Sequence, residues 1–119
     1  MKYEYQHVTI EERTAVVVAY LSGQLNALTI PPVHTRLEQI LTSGSKLLIE
    51  MSAVAFLSSA GLWMLYSLQR QFPDQGKLVL AGLSESVRTT LALVGFDSLL
   101  RSFDTESAAL AYLESVERI

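Results

Sequence analysis

The chain of 119 residues contains no cysteine. That absence removes disulfide staples, thiolate nucleophiles and cysteine-based zinc sites together. It fits a reducing, cytoplasmic setting. Histidine is nearly as scarce. His7 and His34 fall in different segments, with no carboxylate read at ligand spacing from either, so no metal site is expected. His7 reads as an ordinary strand residue and His34 as a residue of a helix's first turn. The nine Lys and Arg are scattered against twelve Asp and Glu, for a net charge of −3. Nucleic-acid binding needs a basic patch to neutralise phosphates, and none is present. The longest apolar run, Ala15 to Leu21, is far below the roughly 20 residues that span a bilayer. The opening MKYEYQHVTI has one lysine and no apolar stretch behind it, unlike a signal peptide. No direct membrane insertion is expected. Neither GxxxxGK[ST] nor GxGxxG occurs, so the chain is not expected to hold ATP, to phosphorylate anything or to need a cofactor.

What the chain has is apolar mass. Half of its residues are hydrophobic, and its mean hydropathy is +0.29. That is consistent with a well-filled core, and equally with an apolar patch left exposed for a partner. The length suits one domain, spanning 1–119.

Residues 3–10 and 14–21 read as strands, the second rich in β-branched residues and central. Pro31-Pro32 suits a helix's first turn, where missing N–H groups cost nothing. Val33, Leu37, Ile40 and Leu41 follow at helical spacing, with Gly44 as the stop. KLLIEM (46–51) is a strand, Ser59 to about Phe72 a helix, Gln75-Gly76 a turn and KLVLAGL (77–83) a buried strand. Ser84 caps a helix to Val94 with Val87, Leu91 and Val94 on one face, and Gly95 ends it. Ser98 to Phe103 reads as a short edge strand. Asp104 or Thr105 opens a last helix with Leu110 and Leu113 on one face. The order β-β-α-β-α-β-α-(β)-α implies an α/β fold: a mixed four- to five-stranded sheet covered by about four helices.

The chemistry concentrates at the strand-to-helix junction FLSSAGLWML (56–65). A hydroxyl there invites comparison with a serine nucleophile, but neither Ser58 nor Ser59 follows a glycine at the required spacing. No histidine lies beyond His34 to act as base. No catalytic residue is therefore expected. Two readings remain. A serine at a helix N-terminus accepts from a free N–H as a cap, worth about 1 kcal/mol. Alternatively it is a phosphoacceptor, gaining roughly −1.5 to −2 charge where the helix dipole tolerates it. One cap suffices, and two serines are present. On a helix from Ser59, Leu62, Leu65, Leu68 and Phe72 form one apolar stripe, and Trp63 falls well away from it. Trp63 is either an exposed interface anchor or covered by a neighbouring loop.

IEMSAVAFLSSAGL (49–62) resembles the signature of STAS domains, especially bacterial anti-sigma-factor antagonists. In that pattern Glu50 matches the acid ending the strand, and Phe56 the aromatic. Ser58 matches an acidic position, Ser59 the first motif serine, Ala60 the second and Gly61 the glycine. SGQLNALTIPPVHTRL (22–37) resembles the family's G-E-L-D segment, with Asn26 in place of its Asp. LALVGFDSLL (91–100) resembles a late segment. The resemblance implies a STAS fold and a partner-switching regulator of transcription, not an enzyme. It would bind an anti-sigma factor that is also a serine kinase, through Asn26, Ser58, Ser59, Ala60, Gly61 and Trp63. The kinase would phosphorylate Ser59 and release it, and a serine phosphatase would reset the switch. The alternative is a constitutive STAS subunit of a transport or stress-signalling complex without a phospho-switch. The missing acids at 26 and 58 favour that alternative, and the retained Ser59 opposes it.

Overall fold

The alternation of side chains along three strands sets the layers of the structure. The computed structural model of the chain describes residues 2–5, 8–13, 16–23, 30–41, 46–72 and 77–116. Among them the order is β1 (Lys2–Tyr5), β2 (Val8–Glu12), β3 (Val17–Gly23), α1 (Ile30–Ile40), β4 (Leu47–Val54), α2 (Ser59–Arg70), β5 (Leu78–Ala81), α3 (Glu85–Leu93), β6 (Arg101–Phe103) and α4 (Glu106–Val116). The strands lie side by side in chain order. β1, β2 and β3 pair antiparallel, and β3 to β6 pair in parallel. The sheet is mixed and helix-covered, as expected. It has six strands because the segment read as one strand over 3–10 reverses on itself. Tyr5 pairs with Val8, and the intervening Gln6 and His7 carry no Gly, Asn, Asp or Pro signal.

Successive residues of a strand face opposite sides. Val17, Ala19 and Leu21, Leu47, Ile49 and Met51, and Leu78 and Leu80 therefore pack on one face, with Val33 and Leu37 of α1, Met64, Leu65 and Leu68 of α2, and Val87 and Leu91 of α3. Val18, Leu48, Val79 and Ala81 face the other way, onto Ala109 and Leu113 of α4. Each fully buried Leu, Ile or Val contributes roughly 1.5–3 kcal/mol relative to exposure. Residues buried on both faces account for the continuous apolar runs of the central strands. Three helices thus cover one face and α4 the other.

The boundaries follow local chemistry. The helix α1 starts at Ile30, so Pro31 and Pro32 sit in its first turn as expected, while His34 lies in the second. Ser84 caps α3 by accepting from Val87 N at 3.2 Å, and Gly95 follows that helix at φ +80°, the left-handed stop glycine favours. Val94 is not on the apolar face as expected. The helix ends at Leu93, and Val94 is an exposed cap residue. The expected strand over 98–103 shortens to β6, and Ser98 instead ends a 3₁₀ turn, Phe96–Ser98. Thr105 opens α4 by accepting from Ala108 N at 3.1 Å. The expected stop at Gly44, the turn at Gln75-Gly76, and His7 lie outside the described residues.

Polar contacts tie α4 to the sheet at both of its ends. Tyr20 donates its hydroxyl to Glu106 Oε2 at 2.9 Å and accepts from Arg13 at 2.9 Å. Burial, then the bond to the Glu106 carboxylate, pushes the Tyr20 phenol above its ordinary range, so it remains a neutral donor. At the other end, Lys46 is almost fully buried and donates Nζ to the Leu113 carbonyl in the last turn of α4. That is where a cation is favoured by the helix dipole and meets an acceptor left over by the helix.

Lys46→Met keeps most of the buried stem but removes this donor. It is expected to destabilise the protein by about 1–3 kcal/mol, measured as the urea-unfolding midpoint against wild type. A second expectation concerns pH. A phenol whose native value is raised contributes stability that is complete below its unfolded value of about 10 and lost as pH rises past it. Stability measured from pH 8 to 11 should fall less steeply in Tyr20→Phe than in wild type.

Candidate functional site

The three parallel crossovers bring the N-termini of α1, α2 and α3 to the carboxyl ends of β3, β4 and β5, the edge where open α/β sheets place their sites. The local shape is set by β4. Its pairing with β3 slips by one residue between the Tyr20–Glu50 and Ser22–Ala53 pairs. This irregularity takes Ser52 out of register, and Glu50 satisfies it locally. Glu50 Oε1 accepts from Ser52 N at 3.0 Å and from Ser52 Oγ at 2.8 Å. The strand therefore continues past Glu50 to Val54, beyond the expected end at Met51. Gly82, after β5, closes over this turn at φ +72°, and a Cβ there would lie 2.6 Å from Glu50 Oε2 and 3.2 Å from Ser52 N.

From Val54 the chain enters α2. Phe56 is exposed, while Leu57 points into the core. Leu57 at N′ and Leu62 at N4 occupy the positions of a hydrophobic staple, and both join the same apolar cluster. Gly61 is buried, and a Cβ on it would meet Leu57 Cδ2 at 3.1 Å. Ser58, extended at φ −84° and ψ 172°, is the N-cap. Its Oγ accepts from Gly61 N at 3.2 Å, and its carbonyl accepts from Leu62 N at 3.0 Å. Ser59 is the first helical residue and is exposed. Among the described residues, no side-chain hydrogen bond engages its hydroxyl. The two serines thus divide the roles left open by the sequence: Ser58 caps and Ser59 is presented. Ala60 is half-buried against the core. Asn26 lies outside the described residues.

The buried side of α2 is Gly61, Met64, Leu65 and Leu68, shifted slightly from the expected stripe, with Leu62 only partly buried. Trp63 falls outside it, as expected, and is 52% exposed. Ser59, Trp63, Tyr66 and Arg70 follow at spacings of four, three and four, one continuous face of a helix. Tyr66 is exposed and stacks on Phe96 at 5.9 Å, and Arg70 sits 5.9 Å from the Tyr66 ring. Leu93 and Val94 at the end of α3 are also exposed, Leu93 by 82%. Ser59–Arg70 carries no acidic residue, and its one charge is Arg70.

The sequence reading missed the packing beneath Trp63. His34 is only 8% exposed. Its Nε2 lies 2.9 Å from Ser67 Oγ, its Nδ1 3.3 Å from Glu38 Oε1, and its ring 4.9 Å from that of Trp63. Glu38, one helical turn on, supplies the carboxylate that was expected to be absent. Ser67, His34 and Glu38 have the connectivity of a hydrolase triad. However, Ser67 lies mid-helix, where neighbouring N–H groups are committed to i−4 carbonyls and offer no oxyanion hole. Among the described residues no group of three or more His, Cys, Asp or Glu could hold a metal ion, and no helix is long and apolar enough to cross a membrane.

The family signature described as the STAS domain matches residues 7–109, and the chain belongs to that family. It is 26% identical over 104 residues to the anti-sigma-F factor antagonist RsfB of Mycobacterium tuberculosis, covering 87% of this chain and 85% of that protein. Its fold matches the crystal structure of an anti-sigma factor antagonist from Mycobacterium paratuberculosis at TM-score 0.79 and 24% identity, over 90% of this chain and 92% of that one. It also matches the anti-sigma factor antagonist SpoIIAA in its unphosphorylated form at TM-score 0.76 and 19% identity, over 94% and 97%.

The division of roles at 58 and 59 is testable by stability alone. Ser58→Ala should cost about 1 kcal/mol through loss of the cap. Ser59→Asp, placing charge at the positive end of the dipole, should be neutral or stabilising by about 0.3–1 kcal/mol. Chemical denaturation of the two variants checks the assignment, and equal losses would contradict it. Gly82→Ala should be costlier than Gly95→Ala in the same assay. Both positions have positive φ, but only Gly82 has backbone and carboxylate atoms where a Cβ would stand.

Proposed function

We propose that this chain is an anti-sigma-factor antagonist that works as a binding module and catalyses no reaction. It docks a kinase-type anti-sigma factor through the outward side of α2 and the loop before it, and phosphorylation of Ser59 ends the association. The observation that carries this reading is the exposed Ser59 hydroxyl at the start of a helix already capped by its neighbour. The hydroxyl is accessible to a kinase, and modifying it leaves the cap bond of Ser58 intact. Trp63, one turn on, is the proposed anchor, with the exposed Tyr66 on the same face of α2. The names of its relatives support the class of partner, and the unphosphorylated form of SpoIIAA supports a switch of this kind.

The chemistry of the switch is transfer of the γ-phosphoryl group of the kinase's ATP to Ser59 Oγ, with loss of the hydroxyl proton. The product carries roughly −1.5 to −2 charge at pH 7. At the N-terminus of α2 that charge is tolerated within the domain. In a docked, partly apolar interface it is unpaired and desolvated, which costs several kcal/mol. A serine phosphatase restores the binding form, and Asn26 belongs to the same proposed surface.

The test is incubation with the kinase-type anti-sigma factor of the same cell and ATP, read by intact mass. Wild type should gain one phosphate and Ser59→Ala none, while Ser58→Ala should still gain one. Ser59→Glu should bind the kinase at least about tenfold more weakly. Equal phosphate in wild type and Ser59→Ala would refute the site. The replacement of family acids by Ser58 and Asn26 favours a second reading, a constitutive STAS subunit with no switch. Recovery of a transporter ATPase in place of a kinase by the tagged protein would support it.

A further inference from the structure

We propose that His34 is a positioning residue for the docking anchor: with Glu38 and Ser67 it forms a clamp that fixes the orientation of the Trp63 indole. The proposal rests on the reading that Trp63 docks the partner, and adds what holds it ready to do so.

An exposed tryptophan on a helix has two free side-chain torsions and pays to order them on binding. Trp63 is more than half exposed, yet its ring rests against His34 at 4.9 Å with an interplanar angle of 51°. A tilted aromatic contact at that distance is a favourable one. Its value as a support depends on whether the imidazole is itself fixed. Both ring nitrogens are engaged, and by different helices. Nδ1 faces Glu38 Oε1 on α1 at 3.3 Å, and Nε2 faces Ser67 Oγ on α2 at 2.9 Å.

The partners assign the protons. A carboxylate only accepts, so the neutral tautomer that suits this neighbour has its hydrogen on Nδ1, turned towards Glu38. In the neutral ring Nε2 is then the acceptor, and the Ser67 hydroxyl donates to it. Glu38 is held in turn by Gln71, whose Nε2 donates to Glu38 Oε2 at 3.1 Å. The chain of contacts runs Gln71, Glu38, His34, Ser67, from the C-cap of α2 back to its interior. It closes a loop across the α1–α2 seam with the Trp63 ring against it. Trp63 and Ser67 are one turn apart on α2, so the imidazole bridges two positions of the same helix from outside. A ring hydrogen-bonded at Nε2 and set against a carboxylate at Nδ1, and 8% exposed, cannot turn over without giving up these contacts. The indole therefore meets a fixed support one turn from Ser59.

Trp63 is the only tryptophan in the chain, so its emission reports this contact without any partner. In His34→Ala the time-resolved anisotropy of Trp63 should gain a large fast component, and its emission should shift to the red. Circular dichroism and thermal unfolding verify the fold. Should His34→Ala not fold, Ser67→Ala removes only the donor to Nε2 and should show the same fast component in smaller degree, with Ser67→Thr restoring the wild-type decay. In the phosphorylation assay with the same purified kinase-type anti-sigma factor, loss of the clamp should raise KM about 3- to 10-fold with kcat unchanged, the cost of ordering one large side chain on docking. An unchanged anisotropy decay in a folded His34→Ala overturns the proposal. So does a mobile indole with unchanged KM where Trp63→Ala raises KM. If Trp63→Ala leaves KM and affinity unchanged, the docking reading itself fails, and the clamp loses its role with it.

Discussion

The structure around the site depends on the free N–H groups at the start of α2. A helix leaves its first amides without internal partners, and one of them must be met by a side chain. Ser58 does this with a 3.2 Å bond to Gly61 N. The position of Ser58 is prepared from both sides. Glu50 absorbs the irregularity in β4 by taking both polar hydrogens of Ser52. Leu57 then sinks into the core and aims the chain at the helix. Gly61 leaves room for Leu57 where any Cβ would press on it. Only when the cap is satisfied by one serine is the next one available for anything else.

Two electrostatic effects act on a charge placed at Ser59, and their sizes differ. The helix dipole favours it by about 0.3–1 kcal/mol at an exposed site, and α2 offers no carboxylate to oppose it. Burying the same charge without a partner costs several kcal/mol. The first effect acts on the isolated domain and the second on a complex. A phosphoryl group at this position would therefore be nearly silent for folding and, in the proposed complex, decisive for association. The two core clusters lie behind this surface.

Most of the fold is legible in the sequence because it is written in local terms. Continuous apolar runs marked the buried strands, the prolines marked the first turn of α1, and Ser84 and Gly95 bracketed α3. The antiparallel start was read, but not its extra reversal, since Gln6-His7 carries no turn residue. Val94 matched a helical period yet fell one position past the end of its helix, where periodicity no longer applies. At the site, Trp63 stood out because its angle on α2 could be computed from spacing alone. The stacking of Tyr66 on Phe96 could not, because it joins residues thirty positions apart. His34 shows both cases in one residue. Glu38 stands four residues on, a spacing the sequence displays and the reading overlooked, whereas Ser67 comes from another helix and required the fold.

The serine at 58 sharpens what the neighbouring acid of the family pattern contributes. Asp and Ser are comparably good N-caps, so exchanging one for the other preserves the hydrogen bond to Gly61 and the start of α2. What the exchange removes is a charge beside Ser59. A phosphoryl group on Ser59 would then meet no like charge from position 58, and repulsion between adjacent groups would no longer bias the equilibrium against it. The structural role of that position and its electrostatic role are separable. In this chain the geometry rests on the first alone. The exposed face of α2 carries no acid, and Arg70 at its far end is its one charge.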